Sequence, residues 1–249
     1  MPSTALAETP SVGSDDPRLT STSDQTLPRR LQHLGIVLWV SLSMPIVGSV
    51  YYMLGGTAPV APTQQQYRLF GALITEVTGL VVLRYVMGRQ GKTWRDIGWN
   101  VGFADFPRAL GLLVAANVVT YLGVLPIEFV YRAHSGSFLT PKPLNSMFGF
   151  GISALSIAFA CLNPFFEELI VRAYTMTEIM NAGGTRTLAV IVSVIVQMSY
   201  HLYQGLLSGL ALTLLFTMFS IYFVRARRIV PVILAHLCLD LLFLFRGAF

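Results

Sequence analysis

Charged side chains are scarce in this chain. Only 12% of its 249 residues are Asp, Glu, Lys or Arg, whereas 54% are hydrophobic and the mean hydropathy is +0.63. Soluble domains carry about 25% charged residues, so the composition excludes an ordinary soluble domain and predicts a membrane protein. The net charge of +5 comes from basic residues that collect on one side of the predicted membrane, so it indicates no nucleic-acid partner.

Cysteine is also rare, and a signal peptide is lacking. The chain has two cysteines, Cys161 and Cys238, and both lie within apolar runs, so we expect free, buried thiols and no disulfide framework. The first thirty residues have no apolar core after a basic start, so we expect no secretory signal peptide there. Their richness in Ser, Thr, Pro and Asp predicts a disordered cytoplasmic tail over 1–30.

Long apolar runs occupy most of the remaining chain and predict one all-α, polytopic transmembrane helical bundle over 31–249. Helices are expected because backbone groups in lipid must bond to one another. We predict about seven spans, near 32–54, 69–87, 108–131, 147–182, 187–203, 205–224 and 229–245. The fourth run exceeds the roughly 20 residues of one straight crossing. Asn163-Pro164 therefore predicts a break that starts a second half-helix, with Glu167 in its first turn.

The basic residues predict the orientation. With the N-terminus in the cytoplasm, 12 of the 17 Lys and Arg residues lie inside and four outside, with Arg172 left in the membrane. The positive-inside rule favours this arrangement, in a cytoplasmic (inner) membrane. Trp94 and Trp99 lie among basic residues, which predicts a short helix at the headgroup level. Glu178 lies near the cytoplasmic end, where we expect it to be solvated.

Two adjacent acids and an arginine interrupt the fourth apolar run. A charge at bilayer depth costs roughly 2.5–3.5 kcal/mol, so three charges so close together indicate partners and a function. On a helix, Glu168 and Arg172 are four residues apart with the acid first, which favours an ion pair. Glu167 points about 100° away around the axis and has no such partner. We predict a structural role for Glu168 and a chemical role for Glu167.

Polar residues in later spans complete a candidate site. His201 lies near the end of the fifth span, and His236 and Asp240 share one face of the seventh. A buried carboxylate can take a proton from water, one histidine can orient that water, and a second can donate to the resulting oxyanion. Glu167, His201 and His236 are equally suited to hold Zn²⁺ with one open position. The residues leave both interpretations open.

This combination resembles the CPBP family of intramembrane proteases. The family includes CAAX prenyl proteases of the Rce1 type and bacteriocin-processing or bacteriocin-immunity proteins of the Abi type. The resemblance covers about residues 145–245 and rests on Glu167-Glu168-x-x-x-Arg172, then His201, then His236-x-x-x-Asp240.

The resemblance implies a role for each of these residues. Glu167 would be the general base, and His201 would share its water. Glu168 would be held by Arg172 as a supporting pair. His236, with the fourth residue after it, would stabilise the oxyanion. The implied partners are membrane lipid and a peptide or protein substrate.

Two positions depart from the family's pattern. Its second motif usually begins with Phe, where this chain has Gln197, and its third usually ends in Asn, where this chain has Asp240. An ionised Asp cannot donate to an oxyanion, so Asp240 is protonated, orients His236, or binds a cation.

The working hypothesis is an endopeptidase that cleaves a membrane-associated peptide or protein. The departures motivate a rival from another class, a non-catalytic bacteriocin-immunity or membrane-complex accessory protein. A transporter with Glu167 and His236 as proton-relay groups is the third hypothesis.

Overall fold

The computed structural model of the chain describes residues 26–55, 62–136 and 152–246. These residues form helices and turns without any strand, which confirms the all-α prediction. Most of the predicted tail and the start of the fourth span near Met147 lie outside the described residues. Residues 27–30, which were assigned to the tail, belong to the first helix.

Seven helices lie in the described parts of the chain. They are α1 (Leu27–Met53), α2 (Pro62–Arg89), α3 (Asp105–Ser135), α4 (Ala154–Asn181), α5 (Arg186–Ser199), α6 (Leu206–Ala226) and α7 (Val230–Arg246). Five of these, α1 to α4 and α6, are long and apolar enough to cross a membrane. The 14 residues of α5 and the 17 of α7 span only about 21 and 26 Å, less than a hydrocarbon core of roughly 30 Å. By length alone five described helices qualify as crossings, and the shorter apolar helices α5 and α7 bring the described helices to the seven that were predicted.

Helix α4 is the centre of the bundle. It packs against α2, α5 and α7, while α3 packs against α6 and α7 on the far side. Half of the most apolar stretch of α4 (50%) is buried by protein, against 11% for α3, which therefore faces mainly lipid. The charged motif thus lies on the helix with the most protein neighbours.

The predicted break at Asn163-Pro164 is wrong. Helix α4 continues through Pro164, changing from α-helical to π-helical geometry over Glu168–Tyr174 and back again. Proline removes one backbone hydrogen bond, and membrane helices absorb such a loss by local π adjustments and side-chain donors. Glu167 is therefore the last residue before a π-helical segment, not part of the first turn of a half-helix.

Two hydroxyl groups stabilise the π-helical segment. Thr175 Oγ1 donates to the carbonyl of Ile170 (2.7 Å), and Ser193 Oγ of α5 donates to that of Val171 (3.1 Å). Wider helical turns change the pattern of backbone bonding and often mark functional sites. Here the hydroxyl groups keep both carbonyls bonded in a buried position.

A buried polar network closes one end of the bundle. Gln90, just after α2, donates to the hydroxyl of Tyr174 (3.1 Å) and to Glu178 (3.3 Å), and Lys92 forms an ion pair with Glu178. Glu178 is only 1% exposed, so the expectation that it is solvated is wrong. The chain after α2 folds over the end of α4 and supplies the cation that this carboxylate needs.

The predicted helix at the headgroup level is a single 3₁₀ turn, Trp94–Ile97. The backbone N–H and the hydroxyl of Thr93 donate to Asp96 at 2.6 and 2.8 Å, and these hydrogen bonds lower the pKa of Asp96. Gly98 follows with a φ of +88°, and a Cβ there would lie 2.9 Å from the carbonyl oxygen of Arg227. Only glycine fits this close approach between the turn and the α6–α7 connection.

Both cysteines are free, as predicted, but they are exposed and not buried. Cys161 lies on α4 and Cys238 on α7. Lipid tails are as apolar as a protein core, so an apolar run in a membrane helix does not indicate which way a given thiol points.

We expect Gly79→Ala to destabilise the bundle where α1, α2 and α4 meet. A Cβ at Gly79 would lie 2.6 Å from a ring carbon of Phe166 and 2.7 Å from Oγ of Ser41, and overpacking of this kind costs about 1–3 kcal/mol. Gly71→Ala is the matched control, because nothing lies within 4 Å of its Cβ position. Thermal unfolding in detergent should separate the two variants, and equal melting temperatures would contradict this packing.

Candidate active site

The candidate residues lie on α4, on α7 and in the turn after α5, and Glu167 and His236 lie at a similar depth. Glu167 is eleven residues before Glu178 on α4, about 16 Å from the closed end. His236 on α7 lies eight residues beyond Arg228, about 12 Å from the same end. By the predicted orientation, this is the cytoplasmic half of the membrane.

Glu168 is held by two partners. Arg172 donates to its Oε2, as the four-residue spacing predicts, and Nδ1 of His236 donates to its Oε1 at 2.6 Å. Glu168 and Arg172 are completely buried (0% exposed), and His236 is 4% exposed. Both carboxylate oxygens of Glu168 are therefore engaged, one within α4 and the other in a contact that joins α4 to α7.

The guanidinium of Arg172 lies against aromatic rings of α6. Its central carbon is 4.8 Å from the ring centroid of Phe216 and 5.6 Å from that of Phe219, so cation–π attraction supplements the ion pair. Nε and the second terminal nitrogen of Arg172 have no hydrogen-bond acceptor among the described residues. The same two rings contact His236, at 5.6 and 6.3 Å between ring centroids. Helix α6 thus packs two aromatic rings against the charged groups of the site.

Glu167 has different surroundings from its neighbour. Its Oε2 accepts a hydrogen bond from the amide of Gln197 on α5 and lies 4.0 Å from Nε2 of His236. Within the described ranges, Glu167 forms no ion pair with lysine or arginine. The carboxylate is buried, at 4% exposure, yet it is not used to neutralise a fixed positive charge.

His201 lies in the turn that follows α5. Its Nδ1 bonds to the carbonyl of Gln197 at 2.8 Å, and because a carbonyl only accepts, Nδ1 carries the proton. In the neutral ring, Nε2 is then the acceptor. The imidazole packs against Phe216 at 5.5 Å, on the ring that also contacts His236. Gln197 therefore joins His201 to Glu167, and Phe216 joins it to His236.

Asp240 lies at the more open edge of the site. Its Oδ2 accepts from Nδ2 of Asn163 on α4 (3.2 Å), and its Oδ1 lies 3.5 Å from Nε2 of His236. The Asp240 side chain is 22% exposed, against 6% for those of Glu167 and His236. The carboxylate is thus held by an amide next to the second nitrogen of His236.

Two residues near this site were not assigned a role by sequence reasoning, and a third, Glu76, was expected to be mainly structural. Gln197 was treated only as a departure and Asn163 only as part of a break, yet each amide binds a predicted site carboxylate. Glu76 on α2 is buried, lies close enough to Glu167 and Asp240 to interact electrostatically, and leaves Oε2 without a hydrogen bond. The sequence contained one signal that Asn163 belongs to the site. It precedes Glu167 by four residues and therefore lies on the same helix face.

The zinc hypothesis requires Glu167, His201 and His236 to converge on one point. In the described part of the chain, no group of three or more His, Cys, Asp and Glu side chains is arranged to hold a metal ion. His236 already uses Nδ1 for Glu168, and His201 uses Nδ1 for a carbonyl. Each imidazole still has Nε2, and a histidine whose Nδ1 is hydrogen-bonded commonly ligates a metal through Nε2, so metal binding at these residues stays a prediction.

A comparison with protein families covers the segment that carries this site. Residues 149–242 match the family described as type II CAAX prenyl endopeptidase Rce1-like. The chain carries an Rce1-like domain. The domain includes α4 to α6 and most of α7, and the match is consistent with the CPBP-type protease that the motifs predicted. No curated protein and no solved structure matches the chain significantly.

We expect Arg172→Met to destabilise the Rce1-like domain by about 3–5 kcal/mol, because it leaves a buried carboxylate without its cation. Adding Glu168→Gln should restore most of this loss, since replacing both members of a buried pair is far less damaging than removing one. Exposed Arg84→Met is the control and should change stability by less than about 0.5 kcal/mol. Thermal unfolding in detergent measures all four proteins. A double variant as unstable as Arg172→Met would contradict the pairing.

Proposed function

We propose that this chain is an intramembrane endopeptidase that hydrolyses a peptide bond of a membrane-associated peptide or protein. The Rce1-like domain supports a protease of the CAAX type. The observation that carries the proposal is the contrast between two adjacent acids. Glu168 is bonded through both oxygens to Arg172 and His236, whereas Glu167 is held by a neutral amide. An acid that is not required to balance an arginine is available for proton transfer.

Glu167 is the general base in the proposed reaction. It removes a proton from a water molecule, whose oxygen attacks the carbonyl carbon of the scissile peptide bond. Gln197 holds the carboxylate, and Nε2 of His201 accepts a hydrogen bond from the same water. Glu167 then returns the proton to the leaving nitrogen, so that the products are a carboxyl group and an amine.

His236 is the donor to the oxyanion. Its Nδ1 is fixed by Glu168, so Nε2 is the nitrogen on the side of Glu167 and Asp240. When Nε2 carries a proton, it can stabilise the negative charge that develops on the carbonyl oxygen. Asp240, held by Asn163, lies 3.5 Å from Nε2 and balances the charge of the imidazole when both of its nitrogens carry protons. No step of the proposed reaction uses a metal ion.

The description of the matched family makes a CAAX prenyl peptide the first substrate to test. The supporting residues of this chain fit a site that works inside a bilayer, since every ionisable member has a hydrogen-bond partner or a counter-ion there.

We expect Glu167→Gln to abolish proteolysis while preserving the fold, because a glutamine carbonyl can still accept the bond from Gln197 but cannot take a proton. The measurement compares protein N- and C-termini in host membranes that contain the wild type, Glu167→Gln, or Glu128→Gln at equal expression. New termini should appear with the wild type and with Glu128→Gln, and should be absent with Glu167→Gln.

The same experiment tests the non-catalytic rival. Membranes without the chain are the reference: if none of the three samples contains termini beyond those of the reference, proteolysis is contradicted and an immunity or accessory role is favoured. Termini that persist with Glu167→Gln would retain a protease but remove Glu167 as its general base.

A further inference from the structure

A groove lies between α3 and α6, on the side of the bundle away from α4. Its volume is about 510 Å³, within the usual range for a ligand-binding cavity. Arg108 and Arg225 stand at one end of the groove, and Leu112 and Met218 are among the apolar residues along its length. The arginines belong to the end of the bundle that carries most of the basic residues, so the groove runs from the predicted headgroup level into the hydrocarbon region.

The charge at the mouth of the groove is not balanced. Asp105 receives two close bonds from Arg228, at 2.8 Å each, and is 3.3 Å from Arg108, whose side chain is 45% exposed. Arg225 is exposed and forms no hydrogen bond or ion pair with any described residue. Arg228 and Arg108 thus share one carboxylate, and Arg225 has none among the described residues, which leaves a positive site at the membrane surface.

The lining of the groove offers two further features. The hydroxyl of Tyr222 is buried and has no hydrogen-bond partner within the described ranges. Gly111 faces empty space, since a Cβ there would meet nothing within 4 Å. The Tyr222 hydroxyl is thus a free hydrogen-bond donor in the groove that Arg108 and Arg225 also line. The open space at Gly111 is a hollow among the apolar residues of the groove.

We propose that this groove binds one anionic phospholipid. The phosphate lies between Arg108 and Arg225 and accepts a hydrogen bond from Tyr222, while an acyl chain fills the hollow beside Gly111. Charge complementarity selects this occupant, because an apolar channel with a basic mouth matches an acidic headgroup joined to a hydrocarbon tail. Helix α3 is the most lipid-exposed of the long helices, so such a lipid reaches the groove from the bilayer.

The test uses the full chain in a non-ionic detergent and native mass spectrometry. The probes are phosphatidylglycerol and phosphatidylcholine with identical acyl chains. We expect retention of one phosphatidylglycerol, with an apparent Kd raised about fivefold by Arg108→Gln or by Arg225→Gln, and about 30-fold by both. Arg84→Gln/Arg89→Gln removes the same charge from α2 at the same end and should leave the Kd unchanged within about twofold.

A steric pair of variants tests the apolar part without changing charge. Gly111→Phe should fill the hollow and weaken phosphatidylglycerol binding, whereas Gly71→Phe, which also faces open space, should not. Melting temperatures confirm that each variant is folded.

Several results would overturn the proposal. An equal rise in the Kd for phosphatidylglycerol in the Arg84→Gln/Arg89→Gln control would indicate non-specific attraction. Equal binding of phosphatidylcholine would show that the headgroup is not recognised. Competition by inorganic phosphate alone would point to a free anion, and dimerisation that Gly111→Phe abolishes would make a second copy the occupant.

Discussion

The buried pair of Glu168 and Arg172 is the interaction on which the rest of the site depends. Both residues are fully enclosed by protein at bilayer depth, where an unpaired charge is expensive. The pair spans successive turns of α4, and Glu168 extends it to His236 of α7. Phe216 and Phe219 of α6 enclose the arginine, so one ionic contact determines how three helices meet.

This arrangement explains why two adjacent acids have different roles. Neighbouring residues on a helix point about 100° apart, so Arg172 reaches Glu168 and not Glu167. Glu167 faces α5 instead, where the amide of Gln197 holds it without neutralising it. The departure from the family's pattern at Gln197 thereby acquires a physical reason, because an amide can position a carboxylate and phenylalanine cannot.

Sequence reasoning predicted what depends on composition and on one helix at a time. The all-α bundle followed from the apolar runs, and the pairing of Glu168 with Arg172 followed from their spacing. The break at Pro164 was wrong, because a helix packed among neighbours tolerates the one backbone hydrogen bond that a proline removes. The burial of Glu178 and the exposure of Cys161 depend on how helices face one another, and the same holds for the amide bonds of Gln197 and Asn163. Each of these features depends on which residues of another helix lie opposite, and the spacing of residues along one helix does not contain that information.

The central claim is that Glu167 is the general base, whereas Glu168 has a structural role as the partner of Arg172. The most direct measurement follows thermal unfolding and cleavage of a CAAX peptide on the same purified preparations of wild type, Glu167→Gln and Glu168→Gln. We predict that Glu167→Gln melts within about 2 °C of the wild type and loses at least about 100-fold in cleavage rate. Glu168→Gln should melt about 10 °C lower, because Arg172 loses its buried counter-ion. Cleavage that survives in Glu167→Gln, together with an unchanged melting temperature for Glu168→Gln, would contradict the account.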